Sequence, residues 1–143
     1  MTVSLPQQPA SIAEARHVLA VLLSLTSTDE QVRDRLATAL TEACANAVAH
    51  GEPGTTIDLS IAVDAGMCVL EVGNRGHLLE DGLLASAMPA PDQTFGRGLG
   101  LISALTDTAA FLPAAAGYVL LRMTTCLHDG AGSPARYGAT PLS

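Results

Sequence analysis

Apolar positions recur along this chain with two different periods. From Ser11 to Leu25, Ile12, Ala15, Val18, Leu19 and Leu22 fall on one side of a helical repeat, and Ser11 stands three residues before Glu14, so the spacing predicts an amphipathic helix opened by a capping box. A second box, Thr28 with Gln31, opens a longer run to His50, where Val32, Leu36, Leu40, Ala43 and Ala47 keep the same spacing and Gly51 marks the end. Ahead of both helices, Val3-Ser4-Leu5 alternates and stops at Pro6, which predicts a short edge strand.

From Thr56 the period becomes two. Ile57, Leu59, Ile61 and Val63 face one way, Asp58, Ser60 and Ala62 the other, and Asp64-Ala65-Gly66 turns the chain into a return strand over 67–72. The stretch 77–93 keeps no period and carries Pro89 and Pro91, so it reads as a mobile loop. Gly96-Arg97-Gly98-Leu99-Gly100 then leads into a short helix through Leu101, Ile102 and Leu105 that ends near Asp107. Residues 109–112 and 118–127 form a last predicted hairpin around Pro113 and Gly117, and the Gly/Ala/Pro-rich tail from His128 is expected to be disordered.

Length and charge narrow the choices. A chain of 143 residues fits one compact domain, expected over 1–127. All seven basic residues are Arg, against fourteen acidic ones, for a net charge of -7. Without Lys there is neither a Walker-type phosphate loop nor a pyridoxal Schiff base, and the acidic balance argues against nucleic-acid binding by counterion release. Hydrophobic residues make up 48% but aromatics only 3%, so Leu, Val, Ile and Ala must build the core, with apolar surface left for a protein interface. Cys44, Cys68 and Cys126 lack metal-ligand spacing and no leader or membrane-length apolar run is legible, which predicts buried free thiols in a reducing cytoplasm.

Two constellations carry candidate chemistry. Glu42, Asn46 and His50, spaced i, i+4, i+8, form a polar stripe beside the apolar face of the second helix. Such a trio is consistent with a solvated edge whose His50 complements the helix dipole; it also suits a divalent cation, with Asn offering a hard carbonyl oxygen and Glu one turn earlier a proton acceptor. The second constellation, Gly96 to Gly100, reads either as a tight turn or as a phosphate cradle whose glycines let backbone N–H groups approach an anion, with Arg97 reaching a terminal phosphate or a surface carboxylate. It follows no strand, so a dinucleotide fingerprint fits poorly. Asp58, Asp64 and Glu71 read as solvated, and His17 and His77 stand apart from any zinc set.

In order and spacing, Glu42-Ala43-Cys44-Ala45-Asn46-Ala47-Val48-Ala49-His50-Gly51 resembles the N-box of the GHKL (Bergerat-fold) ATPases, and Gly96 to Gly100 resembles their G2 box. The resemblance spans about residues 3–127, and within the group the RsbW-type anti-sigma-factor serine kinases are the most similar branch. It implies a two-layer α/β sandwich with a mixed, mostly antiparallel sheet covered on one face by about three helices. It further implies ATP and Mg²⁺ as cofactors, with Glu42 as general base and Asn46 as metal ligand. His50, Asn74, Gly76, Gly96, Arg97, Gly98, Leu99 and Gly100 would line the nucleotide beneath a lid over 77–97. Arg16 would contact a sigma factor and its antagonist, and a cytoplasmic homodimer is expected.

The chain departs from the family pattern at the base-binding end. Where the family's G1 box has Asp-x-Gly-x-Gly, this chain reads Asn74-Arg75-Gly76-His77-Leu78, and no Thr follows Gly117, where Tyr118 and Val119 stand. The resemblance therefore implies an intact phosphate end beside an altered adenine end. Two functions remain open at this level: an ATP-dependent kinase that binds a sigma factor and phosphorylates a Ser on its antagonist, and a degenerate or nucleotide-free module that sequesters partners without catalysis.

Overall fold

The computed structural model describes residues 1–76 and 94–128, with backbone alone for 94–99. Its elements are β1 (Thr2–Pro6), α1 (Ala10–Leu23), α2 (Glu30–His50), β2 (Thr56–Asp64), β3 (Met67–Arg75), α3 (Thr94–Leu105), β4 (Thr108–Leu112) and β5 (Tyr118–Cys126). The described strands form one five-stranded sheet in the order β1-β2-β3-β5-β4, and every pairing among them is antiparallel. The expected mobile loop over 77–93, and with it most of the expected lid over 77–97, lies outside the described residues, as does most of the expected tail.

Alternation decides which face of the sheet is covered. The register sets Leu59 beside Val72 and Val72 beside Leu121, and all three are buried. Along the same face run Leu5, Ile57, Ile61, Leu70 and Met123, closed over by Val32, Leu36, Leu40 and Cys44 of α2 and Leu19 and Leu23 of α1. α2 is the central helix: α1 packs on it toward β1, and α3 packs on it toward β4, so the helix layer follows the sheet from edge to edge. Ala39, Ala43 and Ala47 are buried on α2, and their small side chains let neighbouring elements come close. Removing a fully buried leucine such as Leu36 would cost about 2–5 kcal/mol through lost transfer energy and the cavity left behind.

Both helix starts differ from the expected capping boxes. α1 begins at Ala10 with Pro9 as its cap, and Ser11 lies inside the helix with its hydroxyl donating to the Pro6 carbonyl at 2.6 Å. α2 is capped at Asp29 with no side-chain cap bond, while Thr28 is buried and its hydroxyl pairs with that of Thr26. In each case an early hydroxyl ties the chain to the preceding segment instead of the first-turn amides. The β2–β3 turn is as expected, with positive φ at Ala65 (51°) and Gly66 (80°), the geometry that matches the twist of a two-residue hairpin.

Among the described residues no helix packs on the opposite sheet face. There Asp58 is not simply solvated: its Oδ1 accepts from Ser4 Oγ at 3.0 Å and Thr56 Oγ1 at 3.2 Å, and its Oδ2 accepts from the Tyr118 hydroxyl at 2.6 Å. Glu71 is likewise paired, with Arg122 at 3.0 Å, whereas Asp64 is exposed.

Candidate functional site at the end of the central helix

The stripe on α2 runs from partial burial into solvent. Glu42 and Asn46 are half-buried, and His50 at the last turn is exposed. Among the described residues Asn46 Nδ2 is buried without a hydrogen-bond partner, an unusual state for an amide, because leaving such a donor unpaired costs about 1–3 kcal/mol. Desolvation holds the His50 imidazole below its ordinary value, so near neutral pH it is the uncharged form that the structure favours.

The C-terminal end of α2 is joined to the end of β3. Gly51 bridges Gly76, Glu52 N–H donates to the Arg75 carbonyl at 2.8 Å, and Gly76 N–H donates to the Gly117 carbonyl at 2.9 Å. Gly51 does not end the helix by turning left-handed: its φ of -83° and ψ of 167° are extended. It is glycine for space, since an added Cβ would stand 2.6 Å from the Ala47 carbonyl oxygen. Gly76 is similar, with His50 O 2.9 Å and Asn74 Nδ2 3.1 Å from such a Cβ.

This junction brings Asn46 on α2 and Asn74 on β3 onto connected elements. Asn74 is buried, at 7% exposure, on the helix-covered face between Ile57 and Val119 in the register. Its Nδ2 donates to the Arg75 carbonyl at 3.0 Å, the same oxygen that accepts from Glu52 N–H. Both lone pairs of that carbonyl are engaged, which fixes the amide with nitrogen toward Arg75 and leaves Oδ1 as the acceptor. Val119, its neighbour on β5, presents methyl groups where a Thr would offer a hydroxyl.

The glycine-rich segment is not a loop in front of a helix. α3 begins at Thr94, so Gly96, Arg97, Gly98, Leu99 and Gly100 already lie in its first two turns. In an α-helix each amide donates four residues back, which engages the Gly98 and Gly100 amides with the carbonyls of Thr94 and Gly96. Glycine inside a helix is destabilising by about 0.5–1 kcal/mol relative to alanine, so this part of α3 is intrinsically weak. Arg16 is exposed on α1, on the β1 side, and α2 stands between it and α3. Among the described residues no group of His, Cys, Asp and Glu forms a metal cluster, and no helix is long and apolar enough to cross a membrane. Cys44 and Cys68 are buried, and Cys126 is half-buried.

One residue at the junction carries no sequence signal. Gln7, between β1 and α1, donates Nε2 to the carbonyls of Ala47 and Val48, the latter at 3.2 Å. Its partners are backbone atoms forty residues away, which leave no pattern in the sequence.

Comparison with known proteins identifies the family behind this covered antiparallel sheet and its Asn-bearing central helix. Residues 5–125 match the model of the histidine kinase-like ATPase domain, and the chain belongs to that family. Among solved structures it is similar to the RsbU and RsbW domains of Rv1364c from Mycobacterium tuberculosis, at 20% identity and a TM-score of 0.65, covering 91% of this chain and 33% of that one. The chain thus spans about a third of that relative. It is also similar to the catalytic domain of the histidine kinase ThkA, at 13% identity and a TM-score of 0.59, covering 89% of this chain and 96% of that one. A third similarity is to the SiaB–SiaC complex from Pseudomonas aeruginosa, at 16% identity and a TM-score of 0.56, covering 87% and 88%. No curated protein matches in sequence. At these identities the three structures establish a shared fold, which is the expected two-layer sandwich of the GHKL type.

Proposed function

We propose that residues 1–127 act as one ATP-binding domain of an anti-sigma regulator, which binds a sigma factor and uses ATP and Mg²⁺ to phosphorylate a Ser on an antagonist protein. The observation that carries this reading is Asn46: half-buried, one turn beyond half-buried Glu42, with an amide nitrogen that no group among the described residues satisfies. A buried amide kept unpaired fits a position reserved for a ligand, and an Asn side chain offers the hard oxygen donor that Mg²⁺ prefers. Bound Mg²⁺ would neutralise charge on the phosphates, the role that a Lys plays elsewhere and that this Lys-free chain cannot fill.

The chain's own groups take the remaining roles. Glu42 accepts the proton of the attacking Ser hydroxyl, and Asn46 ligates the metal. Asn74 Oδ1 accepts from the base while Gly76 keeps the backbone close. His50, exposed at the last turn of α2, lines the same edge. Gly96, Arg97, Gly98, Leu99 and Gly100 meet the phosphates once the first turns of α3 open, which their glycines make inexpensive. Arg16, exposed on α1, serves the protein partners, and a cytoplasmic homodimer completes the proposal. The test is transfer of radiolabel from ATP to a small antagonist in the presence of Mg²⁺, with Glu42→Ala as control. Equal labelling, or none, in the two proteins defeats the kinase claim.

A second reading rests on different observations. The Gly98 and Gly100 amides are engaged within α3, and the base end presents Asn74 and Val119 in place of a carboxylate and a hydroxyl. A module of this kind would sequester partners without turnover. Calorimetry with ATP and Mg²⁺ separates the two, because a ligand selective for the folded state must raise its stability by mass action.

A further inference from the structure

We infer that Gln7 is a positioning residue that ties the Asn46 turn of α2 to the start of β2, beside the junction of α2 with β3; its consequence for nucleotide binding rests on the ATP–Mg²⁺ reading above. A helix leaves its last carbonyls without intrahelical donors, and the common remedy is a left-handed residue that folds the following amides back onto them. α2 does not use that remedy, because Gly51 is extended and leads directly into its bridge with Gly76. The Gln7 side chain supplies the missing donor. Its Nε2 reaches the Val48 carbonyl at 3.2 Å and the second lone pair of the Ala47 carbonyl, whose first accepts from Gly51 N–H at 2.9 Å.

Gln7 can do this because it is itself held. Its backbone N–H donates to the Thr55 carbonyl at 3.2 Å, and Gln8 N–H closes a turn onto the Pro6 carbonyl at 2.9 Å. The fit is close on the α2 side as well, since a Cβ on Gly51 would stand 2.6 Å from Gln7 Oε1. Among the described residues that oxygen is buried and unpartnered, so the position bears an unsatisfied acceptor while keeping its donor. The held carbonyls belong to the two residues that follow Asn46. Gln7 therefore sets where the Asn46 amide stands relative to Asn74, across the junction of Gly51 with Gly76.

The test uses the full chain with Gln7→Met, which keeps length and bulk but loses the donor, and Gln7→Lys, which restores a donor without the orphaned acceptor. Amide hydrogen exchange of the ligand-free protein reads the junction, and ATP titrations with and without Mg²⁺ read the site. In Gln7→Met, exchange at Gly51, Glu52 and Gly76 should rise about tenfold or more while Leu70 and Met123 in the sheet stay unchanged, the pattern of local opening. The Mg²⁺-dependent gain in ATP affinity should fall roughly tenfold, as when a metal ligand loses its supporting contact, with Mg²⁺-free affinity unaltered. Gln7→Lys should return both values toward wild type. Unchanged exchange at the three junction amides overturns the inference. Raised exchange with an intact Mg²⁺-dependent gain overturns its link to the metal, leaving a purely structural cap. A wild-type protein that binds no ATP under either condition overturns the nucleotide reading, and the exchange data still decide whether Gln7 holds the junction.

Discussion

Tyr118 on β5 reaches across β3 to Asp58 on β2, its hydroxyl donating to Oδ2 at 2.6 Å, because the residue beneath its ring is Gly73. A Cβ at Gly73 would lie 2.7 Å from Tyr118 Cζ, so the crossing exists only while that position is glycine. The bond holds the Asp58 carboxyl below its ordinary value, and burial together with Asp58 pushes the Tyr118 hydroxyl up to about 12.

The pH dependence of stability follows from those two directions. Asp58 has a depressed value in the folded state, so its contribution is present above the unfolded value of 3.8 and is lost as pH falls through the folded one. Tyr118 has a raised value, so its contribution is complete below 10.0 and is lost as pH rises toward about 12. Tyr118→Phe should therefore cost about 1–2 kcal/mol at neutral pH, and the difference from wild type should shrink at both extremes. Urea melts across the pH range measure it, and a difference that does not vary with pH would count against the bond.

Two glycines predict opposite kinds of damage. Gly51→Ala would set a Cβ 2.6 Å from the Ala47 carbonyl oxygen, a backbone atom that cannot move aside, and should cost about 1–3 kcal/mol with loss of the junction. Gly54→Ala has open space around it but a φ of 82°, so it should cost only about 1–2 kcal/mol through backbone conformation. Exchange at Gly76 distinguishes them: it should rise in Gly51→Ala and stay unchanged in Gly54→Ala.

Asn46→Leu should trade function for stability. The substitution keeps the shape of the side chain and removes a buried donor that has no partner among the described residues, so the ligand-free protein should gain about 1 kcal/mol. ATP binding in Mg²⁺ should be abolished. A lower melting temperature in this variant would mean that the amide has a structural role instead.

Asn74→Asp should act on the two properties in opposite senses. A carboxylate at this buried position would face the Arg75 carbonyl to which Nδ2 now donates at 3.0 Å, so the ligand-free protein should lose about 1–3 kcal/mol. If the base end is what limits binding, the thermal stabilisation produced by saturating ATP should increase. An unchanged increment would remove Asn74 from the base contact.

Thiol labelling offers a check on packing. Burial pushes the Cys44 thiol up to about 12 and the Cys68 thiol up to about 11, so both should resist alkylation in the native state, whereas half-buried Cys126 should react first. Mass spectrometry after a short native pulse should find a single adduct at Cys126, and all three thiols modified in denaturant.

Much of the architecture is legible before any coordinates. The period-two run from Ile57 to Val63 and the helical run from Val32 to Ala47 name the buried faces correctly, and the N-box stripe emerges at the edge of α2 as its spacing requires. The capping boxes fail because spacing cannot tell which partner an early hydroxyl will choose. Ser11 takes the Pro6 carbonyl and Thr28 takes Thr26. The glycine-rich segment fails for a related reason: composition reports that the backbone is permissive, and packing on α2 then draws it into a helix from Thr94.

The sequence by itself determined the order of elements, the covered face of the sheet and the polar residues on the central helix, because hydrophobic periodicity is a local property that survives in any fold that buries it. Only the tertiary structure decided that Gly51 and Gly76 are small to let α2 meet β3, that Asn74 is oriented by the Arg75 carbonyl, and that Gln7 caps a helix forty residues away. Each of these depends on atoms brought together by the sheet and helix layers, chiefly backbone carbonyls, and every residue type has a carbonyl to offer.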